Sequence, residues 1–255
     1  MASGQTPFTP PPPPPSGAGL PYGGEPPAPP TPGLEPIPWE DRERLGLVEA
    51  LVENVKLFVS RPSEAFSRTR ESGDLGSPIL YAVIIGFFCA VVNQVWNIVV
   101  GRPLVRALLN FVPPGTRESL LPMLHPPPGS EIVQVILTPV FVLLGLFIGA
   151  AIFHLCLMLV GGLGQSRTGF EGTVRAVAYA SVANLAAVVP VAGALFGGIW
   201  LIALEVIGLS TLHRTSRGKA LAAVLIPIVL CCLCCGGALL AGGAWFAALF
   251  AHANR

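Results

Sequence analysis

Long runs of residues without a charged side chain most constrain how this chain can fold. No Asp, Glu, Lys or Arg occurs in 78–100, in 132–162 or in 220–254. A helix of about 20 apolar residues is long enough to cross a lipid bilayer. Only 11% of the residues are charged, whereas soluble domains carry about 25%. The sequence therefore predicts an integral membrane protein in contact with the lipid bilayer.

Five membrane spans are predicted, and they form one all-α helical bundle over residues 78–251. Their expected positions are about 78–100, 132–162, 173–189, 193–212 and 220–245. Pro190 leaves almost no loop between the third and fourth spans, so these two are expected to be antiparallel neighbours. Gly145 and Gly149, like Gly193 and Gly197, have the GxxxG spacing that lets membrane helices approach closely.

The first 38 residues form a low-complexity tail that holds 15 of the 27 prolines. Such a segment buries too little apolar area to offset its ordering entropy, so we expect a disordered tail with polyproline II character. Two interpretations remain open. The tail is a docking ligand for the aromatic grooves of a cytoplasmic partner, or it is a solvated extension with no partner.

Residues 40–77 precede the first span and are predicted to form amphipathic juxtamembrane helices. Apolar residues recur at helical spacing, at Val48, Leu51, Val52, Val55, Phe58 and Val59. Glu49 and Glu53 fall on other faces, so this helix is too polar to span. We expect it to lie at the membrane interface or to pack on the cytoplasmic ends of the spans.

Positive charges are distributed unequally between the two sides of a five-span topology. Eleven Arg and Lys residues fall on the side of the N-terminus and four on the opposite side. Because cytoplasmic loops carry the excess of Arg and Lys, the N-terminus is predicted to be cytoplasmic and the C-terminus outside. Arg214, Arg217 and Lys219 form a basic patch at the cytoplasmic end of the fourth span. A net charge of +1 gives no bulk attraction to nucleic acid.

Glu205 is the one acidic residue of the predicted spans. An ionised carboxylate in hydrocarbon is costly, so Glu205 is expected to be protonated, hydrated or paired with His154, Asn184, Tyr179 or Arg214. It is either part of a proton or ion relay, or a polar tie within the bundle. The candidate intramembrane polar site comprises Glu205, His154, Asn184, Tyr179 and three amides of the first span, Asn93, Gln94 and Asn97.

Four cysteines cluster on the fifth span, at Cys231, Cys232, Cys234 and Cys235, with no His or acid nearby in sequence. We interpret them chiefly as packing residues, with metal binding and palmitoylation as alternatives. No P-loop, GxSxG or HExxH pattern occurs. We therefore expect no enzyme activity, no catalytic residue, no metal site and no cofactor.

The order of several short patterns resembles the Yip family of multi-span membrane proteins. These patterns are Phe58, Pro62 and Phe66 before the first span, Ala178 to Ser181 with Val189-Pro190, Trp200 leading to Val206 to Leu209, and His213 with Lys219-Ala220. The resemblance covers about residues 47–251. It implies five spans, a cytoplasmic N-terminus and an all-helical bundle.

The resemblance also implies a function without enzymatic chemistry. Eukaryotic relatives act in vesicle traffic and bind Rab-type GTPases and one another. The preference for 13 Arg over two Lys favours a bacterial branch, and hence a bacterial cytoplasmic membrane. We expect a scaffold or adaptor that binds membrane proteins, further copies of itself or cytoplasmic proteins. The alternative is a small transporter or channel that uses the intramembrane polar residues.

Cysteine-accessibility mapping checks this topology in a variant that lacks the native cysteines. A membrane-impermeant maleimide should label Ser16→Cys and Ser216→Cys from the cytoplasmic side, because both lie on the positively charged side. It should label Ser119→Cys from the opposite side. Cytoplasmic labelling of Ser119→Cys would contradict the predicted orientation.

Overall fold

The fold is helical throughout the part of the chain that the structure describes. This structure is a computed structural model, and it describes residues 35–112, 117–118, 127, 129–190 and 192–253. Every regular element among these residues is a helix. The proline-rich tail predicted for residues 1–38 lies almost wholly outside the described residues.

The helices follow one another with short connections, apart from the segment between Leu109 and Ser130. The described α-helices of four residues or more are α1 (Arg42–Leu45), α2 (Leu47–Ser60), α3 (Pro62–Arg68), α4 (Gly76–Trp96), α5 (Arg102–Leu109), α6 (Ser130–Leu159), α7 (Gly169–Ala180), α8 (Ala192–Leu212) and α9 (Arg217–Ala253). Pro38–Asp41 and Ser181–Val188 are 3-10 helices, and Asn97–Gly101 is a π-helical turn.

Four helical stretches in the described residues are long and apolar enough to cross a membrane, which confirms an integral membrane protein. They are Gly76–Leu109, Ser130–Leu159, Leu195–Leu212 and Arg217–Ala238. The first differs from the predicted span 78–100, because the π-helical turn carries α4 directly into α5 instead of ending it. The helix therefore extends about two turns further than the uncharged run indicated.

The third predicted span, 173–189, is not among these four stretches. Its α-helix ends at Ala180, and the next eight residues form a 3-10 helix. The hydroxyl of Ser181 donates a hydrogen bond to the Ala178 carbonyl over 2.6 Å where the backbone tightens. Ser side chains compete in this way with regular helical hydrogen bonding. Apolar composition alone did not predict the change of helix type.

The 3-10 helix and α8 form a tight hairpin. The Thr168 hydroxyl, just before α7, donates to the Leu212 carbonyl at the end of α8 over 3.1 Å. At the other end, a Cβ on Gly193 would lie only 1.8 Å from the Ala186 carbonyl oxygen. Glycine at this position therefore allows α8 to start directly against the backbone that precedes it.

The N-terminal helices share one hydrophobic core with the membrane helices. Trp39, Phe58 and Phe66 are fully buried in the same cluster as Leu204 and Leu209 of α8. The juxtamembrane segment therefore packs on the bundle, one of the two positions expected for it. In α2, Phe58 points into the protein instead of lying in one apolar stripe with the exposed valines.

Replacing Gly193 by alanine should destabilise the hairpin, because the new methyl group would overlap the Ala186 carbonyl. Overpacking of this kind costs about 1–3 kcal/mol, so Gly193→Ala should lower the melting temperature in detergent. Gly198→Ala, one turn away on α8, is the matched control, since its Cβ meets no described atom within 4 Å. Equal melting temperatures for the two variants would contradict the packing of this turn.

Candidate functional site

Arg175 of α7 is a fully buried charge at the junction between the N-terminal segment and the bundle. Its guanidinium donates to the carbonyls of Gly73 and Asp74, over 2.8 and 3.2 Å. It also forms an ion pair with Glu171 one helical turn earlier, at 2.7 Å. A buried cation is tolerated only when hydrogen bonds and countercharges replace its water. Arg175 therefore holds the chain before α4 against α7.

Glu40 is the second charge of this site, and it comes from the 3-10 helix Pro38–Asp41. Its carboxylate accepts a hydrogen bond from the Tyr179 hydroxyl over 3.0 Å and one from the Arg70 amide over 3.3 Å. Arg175 lies 3.9 Å away. Burial raises the pKa of Glu40 above its usual value, although the Tyr179 hydrogen bond and the charges of Arg175 and Arg70 act in the opposite direction.

Aromatic rings surround this polar pair. The ring of Tyr179 stacks on Phe58 with centroids 5.3 Å apart, and it packs at a tilt against Tyr81 at 5.4 Å. Tyr81 contacts Trp39, whose indole N–H donates to the Ser77 carbonyl over 2.7 Å. We call Glu40, Arg175, Tyr179, Phe58 and Trp39 the docking cluster. It joins two N-terminal elements, the 3-10 helix Pro38–Asp41 and α2, to α4 and α7 by charge, hydrogen bonds and ring contacts.

A second polar group links α6, α7 and the end of α8. The Thr173 hydroxyl lies 2.8 Å from His154 Nδ1 and 2.9 Å from His213 Nε2. His213 Nδ1 lies 2.8 Å from the Ser166 hydroxyl. Burial, followed by the proximity of His154, lowers the pKa of His213 to about 4. His213 is therefore neutral near pH 7, and one of its ring nitrogens donates while the other accepts.

Glu205 takes none of the partners that the sequence suggested for it in the described residues. Arg214 pairs with Glu71, Tyr179 donates to Glu40, and His154 bonds to Thr173. Asn184 lines a cavity between α4, the 3-10 helix and α8. Glu205 itself is 7% exposed on α8. The expected polar site is therefore divided, because each proposed partner of Glu205 bonds elsewhere or faces another space.

The three amides of the first span form a second group, and one of them, Asn93, also lines the cavity of Asn184. Asn93, Gln94 and Asn97 line a groove with Gln134 and Thr138 of α6. This groove lies toward the end of α4, many turns from the docking cluster near its start. The sequence grouped these amides with Glu205 only because all are polar residues within apolar runs.

The cysteine cluster lies on α9, and the basic patch lies at and just before the start of that helix. Lys219 donates to the Gly161 carbonyl over 2.8 Å, and Arg217 is exposed at the start of α9. The four clustered cysteines are exposed on α9, and the sulfurs of Cys231 and Cys235 lie 3.9 Å apart. No group of three or more potential metal ligands occurs in the described residues.

Sequence reasoning missed the docking cluster, apart from Tyr179. One signal was present, because Glu171, Arg175 and Tyr179 are spaced four residues apart and share one helical face. Arg175 was counted instead as a loop charge. Nothing in the local sequence around Glu40 indicated a partner more than 100 residues away.

One known protein family matches the part of the chain that forms the helical bundle. The Yip1 domain matches residues 56–239, which include the end of α2, all of α3 to α8 and most of α9. The chain belongs to the Yip1 domain family. No curated protein and no solved structure matches it. In this Yip1-domain protein the docking cluster crosses the boundary of the match, since Arg175 and Tyr179 lie inside it and Glu40 and Trp39 precede it.

Removal of the Tyr179 hydroxyl should weaken the docking cluster. Hydrogen bonds to charged groups contribute about 1.5–3 kcal/mol, so Tyr179→Phe should lower the free energy of unfolding by roughly that amount. Tyr81→Phe is the matched control, because the Tyr81 hydroxyl is buried in the same ring cluster but bonds to no charged side chain among the described residues. Denaturant unfolding in mixed micelles measures both. A loss in Tyr81→Phe as large as in Tyr179→Phe would contradict the role of the Glu40 contact.

Proposed function

We propose that this Yip1-domain protein is a non-enzymatic membrane scaffold that presents a rigid cytoplasmic platform to protein partners. The observation that carries this proposal is the docking cluster, in which the buried ions Arg175 and Glu40 tie residues 35–74 to the bundle. A segment anchored in this way keeps a fixed position relative to the spans. An anchored surface suits a scaffold, because little further ordering is needed when a partner binds.

The proposal includes five membrane crossings, with α7 and the following 3-10 helix as the third. An α-helix rises about 1.5 Å and a 3-10 helix about 2.0 Å per residue, so the 20 residues from Gly169 to Val188 extend roughly 34 Å. That length is sufficient to cross a hydrocarbon core of about 30 Å. With five crossings, the excess of positive charge on the N-terminal side supports a cytoplasmic platform and an outer C-terminus.

The partner-binding surface that we propose is the outer face of α2. Val48, Val52 and Val59 are 72%, 45% and 53% exposed. The opposite face of the same helix buries Ala50, Asn54 and Phe58 in the protein. Apolar side chains aligned on an anchored helix favour a partner that supplies a matching apolar surface.

The charges of α2 favour a protein partner over a lipid surface. The helix carries Glu49, Glu53 and Lys56, and Lys56 pairs with Glu53 at 2.7 Å. Helices that lie on the cytoplasmic leaflet usually carry Lys and Arg, because that leaflet is anionic. An excess of acid beside the valines opposes lipid adsorption but not protein binding.

We place the scaffold in a bacterial cytoplasmic membrane, where its spans contact further membrane proteins or other copies of the chain. The proline-rich tail supplies a second, extended docking ligand for cytoplasmic partners. The domain division into a tail over 1–38, juxtamembrane helices over 40–77 and a membrane domain over 78–251 belongs to the same proposal.

Site-specific photocrosslinking in native membranes tests the scaffold. A photoreactive residue at Val52 of the full chain should yield a discrete protein adduct. The same residue at Val133, an exposed valine of α6, is the matched control and should not yield that adduct. Val48→Asp should lower the Val52 adduct severalfold, because it places a charge in the apolar surface.

Other results would oppose the proposal. If Val52 crosslinks only to lipid, α2 is an interfacial helix and the platform is wrong. If removal of residues 1–34 abolishes the adduct while Val48→Asp leaves it intact, the tail is the binding element. An ion or proton flux in liposomes that Glu205→Ala abolishes would indicate a transporter instead of a scaffold.

A further inference from the structure

Two exposed arginines at one end of the bundle have no partner among the described residues. Arg167 lies in the loop between α6 and α7, and Arg217 is the first residue of α9. Glu171, the acid nearest to Arg167 in sequence, pairs with Arg175 instead. The other arginines of this end and of the N-terminal segment all bond to carboxylates or other oxygens: Arg42, Arg44, Arg61, Arg68, Arg70, Arg175 and Arg214.

Hydrogen bonds hold the loop of Arg167 against the start of α9. The ammonium group of Lys219 donates to the Gly161 carbonyl over 2.8 Å. The hydroxyl of Ser166 lies 2.8 Å from His213 Nδ1, and Arg167 is the next residue. The two segments that carry the unpaired arginines are therefore fixed to each other.

These two segments carry positive charge only. Residues 160–168 and 213–219 contain four bases and no Asp or Glu. Arg214 is neutralised by Glu71. An ammonium group has three N–H donors, so Lys219 retains two beyond its bond to a carbonyl. The remaining charges favour an anionic ligand.

The side chains below Arg217 show where that ligand meets the protein. Leu221 and Leu225 follow Arg217 by four and eight residues along α9, so the three share one helical face. The leucines are 42% and 37% exposed, in the stretch that is apolar enough to cross a membrane. An arginine at the end of such a face extends to the polar surface of the bilayer, while the leucines contact acyl chains.

α6 packs beside α9 and continues this arrangement. Leu159, its last residue, is 80% exposed, and Met158 and Leu155 are also exposed. Gly161, which accepts the hydrogen bond from Lys219, is two residues further along the chain. Positive charge therefore lies next to exposed apolar side chains on both helices.

We propose that Arg167, Arg217 and Lys219 bind the headgroup phosphate of an anionic phospholipid, whose acyl chains lie along α6 and α9. Guanidinium and ammonium groups form charge-assisted hydrogen bonds with phosphate oxygens. This surface differs from the outer face of α2, so the inference is independent of the scaffold proposal.

A lipid fits this surface better than an acidic protein. The acidic surface nearest at hand is the N-terminal segment of a second copy, because residues 35–74 contain nine acids and six bases. Such a partner would satisfy the arginines but leave Leu221 and Leu225 to be covered by something else. One phospholipid supplies the anion and the apolar chains together, in the order in which the protein presents their counterparts.

Two lipids that differ in headgroup charge test the proposal. The full chain is reconstituted in vesicles of equal parts dioleoyl phosphatidylglycerol, which is anionic, and dioleoyl phosphatidylcholine, which is zwitterionic. After extraction in mild detergent, native mass spectrometry counts the retained lipids. One Lys or Arg near an anionic surface contributes about fivefold in affinity, so phosphatidylglycerol should be retained at least about fivefold better. Both leaflets have the same composition, so the result does not depend on orientation.

Variants test the residues. Arg167→Gln and Arg217→Gln should each lower the retention ratio severalfold, and neither substitution breaks a contact among the described residues. Arg217→Lys keeps the charge and should retain most of the preference. Arg44→Gln is the matched control, because it removes the same charge from an exposed arginine that pairs with Asp41. It should show the wild-type ratio.

Four outcomes would overturn the inference. The first is equal retention of the two lipids by the wild type. The second is an unchanged preference in the chain that carries both Arg167→Gln and Arg217→Gln. Displacement of the lipid by excess inorganic phosphate would show that the site recognises a free anion. A dimer that Arg217→Gln dissociates, with the lipid ratio unchanged, would assign the surface to a second copy of the chain.

Discussion

The burial of Arg175 is the interaction on which the packing of the N-terminal segment against the bundle depends. A buried guanidinium is stabilised where hydrogen bonds and countercharges replace its water. In Arg175 the nitrogen Nη2 makes these hydrogen bonds, whereas Nε and Nη1 have no hydrogen-bond partner among the described residues. Its partners come from the segment before α4, from its own helix and from Glu40 at the start of the described chain. Removing any of these segments would expose an unsatisfied charge, so the juxtamembrane region and the bundle must fold together.

The second constraint is the near-absence of a loop between the 3-10 helix and α8. Close backbone contact at Gly193 forces the two segments to run side by side. Tyr179, just before the 3-10 helix, stacks on Phe58 of α2. Gly208 of α8 lies against Phe66 of α3. The hairpin thus presents one continuous surface to α2 and α3. This surface explains why one face of α2, with Phe58, and Phe66 of α3 are buried.

Long apolar runs predicted most of the fold, because hydrophobic length and composition are local properties. The membrane class and the helical fold followed from them. The Yip resemblance rested instead on short residue patterns in a fixed order, and the family match confirms it. The change to a 3-10 helix at Ser181 was not predictable in this way, since helix type depends on backbone hydrogen bonding within a few residues. The site was largely missed for a different reason. Glu40 and Arg175 meet only through the tertiary fold, and the partners expected for Glu205 bond to other residues or line another cavity.

The hydrogen-bonded group around Thr173 couples the tautomers of two histidines. A hydroxyl carries one proton, so Thr173 can donate a hydrogen bond to at most one of the two imidazoles and accepts a hydrogen bond from at least one of them. If His213 is protonated on Nε2, Thr173 donates to His154 Nδ1 and Ser166 donates to His213 Nδ1. In the reverse arrangement every hydrogen bond points the other way. In these two arrangements, the direction of the hydrogen bond at Ser166 follows the tautomer of His154 on α6, and no heavy atom moves.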